Sequence, residues 1–251
     1  MGASAVAIIP ARFQSTRLPG KALALIGGRP MVCHVAERAR RARGLARVIV
    51  ATDDERIRAA VAATGAEVMM TRADHPSGTD RLAEVARGLD AEVVVNVQGD
   101  LPLLDPGLIE RLVARLLDDP SLPMATLAMP IRDEAEWRSP HVVKVVVGLD
   151  GRALYFSRSP VPHDRDGVRG AGDPLGLRHI GMYGYRRDVL LRLAGLPPSP
   201  LERRECLEQL RALENGIAIG VVEWTGEPVI EVDTAADLEQ ARAALGEEVT
   251  R

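Results

Sequence analysis

Short apolar runs alternate with amphipathic stretches along most of this chain, and the alternation predicts an α/β fold. Residues 5–9 (AVAII), 48–51 (VIVA), 67–70 (EVMM) and 92–97 (EVVVNV) read as buried parallel strands. The stretch after Pro30 sets Met31, Val32, Val35 and Ala39 on one stripe, ends in Arg38, Arg40, Arg41 and Arg43, and stops at Gly44, which are helix signals. Residues 55–64 read as a helix capped by Thr52 or Asp53, and residues 80–87 as a helix capped by Thr79. Strand, helix, strand in this rhythm predicts βαβ crossovers and a mostly parallel sheet flanked by helices.

The rhythm changes in the second half. An amphipathic helix over 106–117 and a strand over 124–129 continue it. Residues 142–147 and 153–157 then flank Leu149-Asp150-Gly151, a hairpin turn, so antiparallel strands enter here. Residues 160–176 are rich in Pro, Gly and Asp and read as a mobile loop. A strand over 179–185, a helix over 201–214 capped by Ser199, a strand over 218–222, an extended segment over 229–232 ended by Asp233, and a helix over 235–245 complete the chain. A single domain over 1–251 with an inserted antiparallel subregion at about 130–190 is expected.

Composition narrows the function. A net charge of −3 and only 3% aromatic residues give neither a global attraction to nucleic acid nor stacking platforms for single strands. The arginines at 38–43 therefore read as a solvated helix end. Cys33 and Cys206 have no metal spacing, and the first apolar run is too short for a signal peptide or a span. A cytoplasmic protein without membrane insertion is expected.

The chemistry gathers after the strands, where α/β sheets bind ligands. Arg12, Arg17 and Lys21 follow the first strand among Gln14, Ser15, Thr16 and Gly20. The loop has no Walker A pattern and no G-x-G-x-x-G, yet three cations beside a strand end suit several phosphates. Arg72 and Ser77 follow the third strand, and Gln98-Gly99-Asp100 the fourth. Taken alone, Asp100 reads equally as a turn residue, Asp233 as a helix cap, His179 as a core histidine, and Glu208 and Gln209 as solvated helix positions.

Seven blocks in order, IIPARFQSTRLPGK, TRADHPSGTDRLAEV, VNVQGDLPLL, ALYFSRSPVPHDRD, RHIGMYGYRR, LERRECLEQLR and VDTAADLEQAR, resemble the 3-deoxy-manno-octulosonate (Kdo) cytidylyltransferase family. The resemblance implies a nucleotide-diphospho-sugar transferase fold, Rossmann-like, with a small antiparallel subregion for dimerisation and sugar binding. It implies a homodimer, Mg²⁺, and the reaction of CTP with Kdo to CMP-Kdo and pyrophosphate for lipopolysaccharide synthesis. Carried over by position, Arg12, Ser15, Arg17 and Lys21 hold the triphosphate, and Arg72, Ser77 and Gln98 lie near cytosine and ribose. Asp100 and Asp233 hold Mg²⁺, and Arg158, His179, Tyr183, Glu208 and Gln209 lie near the sugar acid. Arg17, Lys21, Asp100 and Asp233 form the catalytic set. Three departures stand out. Leu101 replaces a glutamate beside Asp100, removing a charge there, His163 stands where the family has an aromatic residue, and Glu231 replaces a glycine, either joining the metal site or, as expected, facing solvent. Leu101 keeps a related sugar acid, an amino-Kdo or sialic-acid-like compound, as the rival substrate, and a non-catalytic nucleotide-binding homologue as the rival class.

Overall fold

The computed structural model describes residues 4–14 and 18–250, with side chains through residue 246. The chain forms two compact units, residues 1–113 with 228–251 and residues 114–227. Among the described residues, no helix is long and apolar enough to cross a membrane.

The first unit is built on β1 (Ala5–Ala11), whose run from Ala5 to Ile9 is at most 2% exposed. A two-strand ribbon of β2 (Leu25–Ile26) and β3 (Arg29–Pro30) leads into α1 (Met31–Ala39), and β4 (Leu45–Thr52) pairs parallel with β1. Then follow α2 (Glu55–Ala62), β5 (Glu67–Met70), α3 (Gly78–Arg87) and β6 (Val93–Asn96). β5 pairs parallel with β4, and β6 parallel with the other edge of β1. The chain thus winds outward through β4 and β5, then returns across β1 to β6. The strand order reverses between β1 and β6, so the loops after these two strands diverge and open a crevice at their carboxyl ends.

Two caps differ from the sequence reading. Asp54, not Thr52 or Asp53, accepts the Arg56 amide at the start of α2. Ser77, not Thr79, accepts the Asp80 amide, so α3 starts two residues earlier than its charge pattern suggests. In both cases an extended residue with a short polar side chain lies one or two positions from the one chosen.

α4 (Pro106–Asp118) spans the boundary between the units. In the second unit β7 (Met124–Ile131) is followed by α5 (Glu134–Arg138), β8 (Lys144–Val147), β9 (Ala153–Ser157) and β10 (Gly176–Arg186). α6 (Arg187–Ala194), α7 (Pro200–Glu205), α8 (Gln209–Glu214) and β11 (Ile219–Glu223) complete it. β10 runs antiparallel to β7 and β8, β8 antiparallel to β9, and β11 parallel to β7. The fold is α/β, with helices flanking sheets that are parallel in the first unit and mixed in the second.

The predicted helix over 201–214 is two helices, broken at Cys206 in the left-handed region at φ 53°. The Glu214 carboxylate accepts the Leu201 amide at 3.0 Å. A continuous helix would hold residues 13 apart at about 20 Å, so this contact requires the break. The helices α5 and α6 are absent from the sequence reading. α5 is one short turn, and α6 starts at Arg186 without a side-chain cap. The chain ends in α9 (Ala235–Thr250), back in the first unit.

Lys144 is fully buried, yet its ammonium donates to the Ser139, Val142 and Arg158 carbonyls at 2.8, 2.6 and 2.6 Å. Burial lowers its pKa first and nearby Arg158 adds to this, while Glu205 opposes it. All three protons are spent on main-chain oxygens, which ties the start of β8 to the end of β9. Lys144→Met is expected to cost about 2–3 kcal/mol in urea denaturation, because buried acceptors left unmade outweigh the relieved desolvation. A loss below about 0.5 kcal/mol, the size of an ordinary surface change, would count against this tie.

Candidate active site

A cavity of about 710 Å³ opens at the carboxyl ends of β1 and β6. Arg12, Phe13, Gln14, Lys21, His75, Ser77, Arg81, Gln98, Asp100, Glu231 and Asp233 are among its lining residues. Of the residues assigned to nucleotide from sequence, Arg12, Lys21, Ser77 and Gln98 meet here. Arg72 does not line it, and its exposed guanidinium pairs with Asp74 at 3.3 Å. Ser15 and Arg17 lie outside the described residues.

Local backbone chemistry sets the geometry. The loop after β1 is closed at its neck by a hydrogen bond from the Gly20 amide to the Phe13 carbonyl at 3.1 Å. Gly20 is left-handed, φ 69°, and a Cβ there would sit 3.2 Å from the Phe13 ring. The Arg56 guanidinium covers that ring at 3.5 Å from its centroid. Lys21 follows directly, at the start of a tight turn, Lys21–Leu23. After β6, Gly99 passes so close to β1 that a Cβ would lie 3.0 Å from the Pro10 carbonyl oxygen. This close passage of backbone over backbone places Asp100 beside the first loop.

Asp233 arrives from the far end of the chain. Val232 is fully buried with Ile26, Met31, Leu238 and Ala241, and its amide donates to the Asp100 carbonyl at 2.9 Å. Thr234 and Asp237 cap α9 between them: the Thr234 hydroxyl accepts the Asp237 amide, and the Asp237 carboxylate accepts the amides of Asp233 and Thr234. The capping role considered for Asp233 thus falls to its neighbours, and its carboxylate turns to Lys21. The Lys21 ammonium donates to Asp100 at 2.7 Å and Asp233 at 3.1 Å. Burial works against its charge, but the two carboxylates, Asp100 foremost, outweigh that and raise its pKa above the ordinary lysine value.

Sequence reasoning missed His75 and Arg81. The His75 imidazole pairs with Glu84, and the buried Arg81 guanidinium pairs with Asp53 at 3.3 Å. Arg81 lies one helical turn after Ser77, which puts both on one face of α3, so the helical period was the available signal. Glu231 faces solvent, as expected, and also lines the cavity. Its carboxylate offers an oxygen within 4.8 Å of those offered by Asp100 and Asp233. Leu101 is 3% exposed and does not line the cavity.

The residues assigned to the sugar acid all lie in the second unit. In β10 the pairing with β7 slips between Ile180 and Tyr183: these face the consecutive residues Leu127 and Thr126, so Gly181 and Met182 between them are extra. The bulge draws the His179 and Tyr183 rings to 5.3 Å, whereas four strand residues span about 13 Å. The Thr126 hydroxyl donates into the bulge, to the Met182 carbonyl at 2.8 Å. Its one proton is spent there, so it accepts from His179 Nε2–H at 2.9 Å, which fixes the tautomer. Burial pushes the His179 pKa down to about 3 and holds the ring neutral. Burial, then Tyr185 and Glu208, raise that of the Tyr183 phenol, which stays protonated. Gln209 is buried, at 6% exposure, not solvated. The Arg158 guanidinium donates to the Glu205, Pro140 and Cys206 carbonyls at 2.7, 3.0 and 3.3 Å, which spends three of its five N–H groups on the main chain.

The first unit is that of a nucleotide-binding α/β protein: cations and carboxylates converge where the strand order reverses. The cytidylyltransferase family model matches residues 6–219. A 3-deoxy-manno-octulosonate cytidylyltransferase of Syntrophotalea carbinolica is 55% identical over 247 residues, 96% of this chain and 98% of its own length. Its counterpart in Geobacter sulfurreducens is 54% identical over 246 residues, 95% and 98% of the two chains. A solved CMP:2-keto-3-deoxy-manno-octonic acid synthetase in complex with CTP is 47% identical, with a TM-score of 0.92 over 98% of this chain and all of its own. A 4-diphosphocytidyl-2C-methyl-D-erythritol synthase of Anaerococcus prevotii, 16% identical with a TM-score of 0.62 over 97% and 96% of the two chains, shares the fold. The chain belongs to the 3-deoxy-manno-octulosonate cytidylyltransferase family.

The neutral His179 gives a stability test. Its native pKa lies below the ordinary 6.5, so between these values the unfolded chain binds a proton that the native ring refuses. Its contribution is fully present above pH 6.5 and is lost as pH falls toward 3. Between pH 7 and 5.5 the chain is expected to lose up to about 1 kcal/mol more than His179→Gln, with partial exposure trimming the figure. Equal losses in urea melts would mean that the native imidazole titrates normally.

Proposed function

We propose that this chain transfers the cytidylyl group of CTP to Kdo, giving CMP-Kdo and pyrophosphate for lipopolysaccharide synthesis. The observation that carries the reading is the Lys21, Asp100 and Asp233 cluster in a cavity at the sheet's switch point, in a chain whose 47%-identical structural neighbour holds CTP. Arg12 and Lys21, with Arg17, neutralise the triphosphate and the departing pyrophosphate. Nucleotidyl transfer asks little covalent help of a protein, so holding the α-phosphorus in line with the sugar's anomeric hydroxyl supplies most of the rate.

The residues fit Mg²⁺. Asp100 Oδ1 is buried with no hydrogen-bond partner, and hard carboxylate oxygens are the ligands this ion prefers. Asp100 and Asp233 would hold it. When bound, it polarises the α-phosphate and lowers the pKa of the attacking hydroxyl. His179, Tyr183, Glu208 and Gln209 recognise the sugar acid, and Arg158 shapes their surroundings through its main-chain contacts. The protein works in the cytoplasm, as a homodimer.

Asp100→Asn is expected to lower kcat at least a hundredfold with little change in Tm, read by pyrophosphate release from CTP and Kdo. Lys21→Ala is expected to raise the Kd for CTP about tenfold in calorimetry, the effect of losing about 1.4 kcal/mol of phosphate contact. Turnover of a different sugar acid with none of Kdo would replace the substrate, and CTP binding without turnover of any would replace the activity. Sedimentation that shows a monomer at micromolar concentration would remove the dimer.

A further inference from the structure

The acidic side of the cavity holds one carboxylate more than the reaction was assigned. Glu231 offers an oxygen within 4.8 Å of oxygens on Asp100 and Asp233. Divalent cations bind carboxylate oxygens at about 2.1 Å for Mg²⁺ and 2.3–2.6 Å for Ca²⁺, so oxygens on one ion lie about 3 Å apart when adjacent and at most about 4–5 Å apart when opposite. The three carboxylates therefore lie close enough to share one ion once side-chain rotation draws their oxygens together by about an ångström.

Two further observations point to a cation here. The Lys21 ammonium lies between Asp100 and Asp233, so the cluster attracts positive charge. Asp100 Oδ1 is buried and has no protein hydrogen-bond partner, an arrangement that costs free energy unless a cation or a water supplies the contact.

We propose that Glu231 is a third carboxylate ligand of this centre, and that it lets the chain take up a divalent cation before any nucleotide is bound. A pair of aspartates depends on the nucleotide's phosphates to complete a hard-oxygen shell. A third carboxylate from the protein reduces that dependence. Glu231 is exposed on the cavity wall, so its side chain reaches the ion without burying a new charge. The inference rests on the nucleotidyl-transfer reading only through Asp100 and Asp233, and the experiment separates the two.

The test is a Mn²⁺ titration of the full-length, nucleotide-free protein, following unbound Mn²⁺ by its electron paramagnetic resonance signal. The native chain, Glu231→Gln, Glu231→Ala and Asp100→Asn are compared, with Tm in EDTA as the check on folding. One Mn²⁺ per chain is expected, bound about tenfold more weakly by both Glu231 variants, a difference of about 1.4 kcal/mol. Asp100→Asn is expected to bind more weakly still. Native affinity in both Glu231 variants, with binding lost in Asp100→Asn, would overturn the role of Glu231 and leave the aspartate pair intact. Native affinity in Asp100→Asn as well would place the ion elsewhere and remove the metal reading with it. Failure of the native chain to bind Mn²⁺ at millimolar concentration without nucleotide would also overturn the proposal.

Discussion

The first unit depends on one ammonium shared by two carboxylates. Lys21 lies 79 residues before Asp100 and 212 before Asp233, and it meets both within 3.1 Å. Three segments must converge for that contact, and each is held by something other than charge. Gly99 allows the passage over Pro10, the Phe13–Gly20 hydrogen bond closes the first loop, and buried Val232 anchors the last segment. Apolar packing and main-chain hydrogen bonds thus bear the cost of bringing like charges together, and the ammonium relieves it. Without Lys21, Asp100 and Asp233 would lose the ammonium that both carboxylates share in a partly buried place.

The parts of this arrangement that can be read along the chain are those encoded locally. Three buried strands announce themselves by apolar runs, while the run at 67–70 is the edge strand β5 with Glu67 and Met70 exposed; the polar residues after the strands fall at carboxyl ends because every strand of that sheet points the same way. Arg12, Lys21, Ser77, Gln98 and Asp100 were legible for that reason. Asp233 was not, since its local context is a helix start; only ordered resemblance to a family singled it out. Glu231 is polar and exposed, like most glutamates, and its meaning comes from two residues that share its cavity but not its neighbourhood in sequence. The break at Cys206 was equally out of reach, because it is imposed by a contact from Glu214 back to Leu201 rather than by a breaker residue.

Arg158 and Lys144 show the same limit from the other side. A cation near a site suggests an anionic partner, yet both spend protons on main-chain carbonyls, Lys144 all three of its own. Charge type in a sequence says what a side chain can do, and the surrounding backbone decides what it does. Here the backbone oxygens around β8, β9 and the α7–α8 break take those protons first, and the two cations become braces.

The two units present different physics to a ligand. The first works with full charges, which act over several ångströms and tolerate a phosphate chain that shifts as pyrophosphate departs. The second offers a neutral imidazole of fixed tautomer and a protonated phenol, drawn together by a bulge that Thr126 stabilises. Such groups are directional, and each hydrogen bond with a hydroxyl requires the partner at one place. A site of this kind rejects a ligand that lacks a hydroxyl, because the protein group is then left unpaired. Charge in the first unit suits the part of the reaction common to every nucleotide triphosphate, and neutral, oriented donors and acceptors in the second suit the part that differs among sugar acids. On the proposed function, discrimination between Kdo and its relatives turns on the bulge in β10 more than on the loss of a glutamate at Leu101, whose side chain is buried and does not line the cavity.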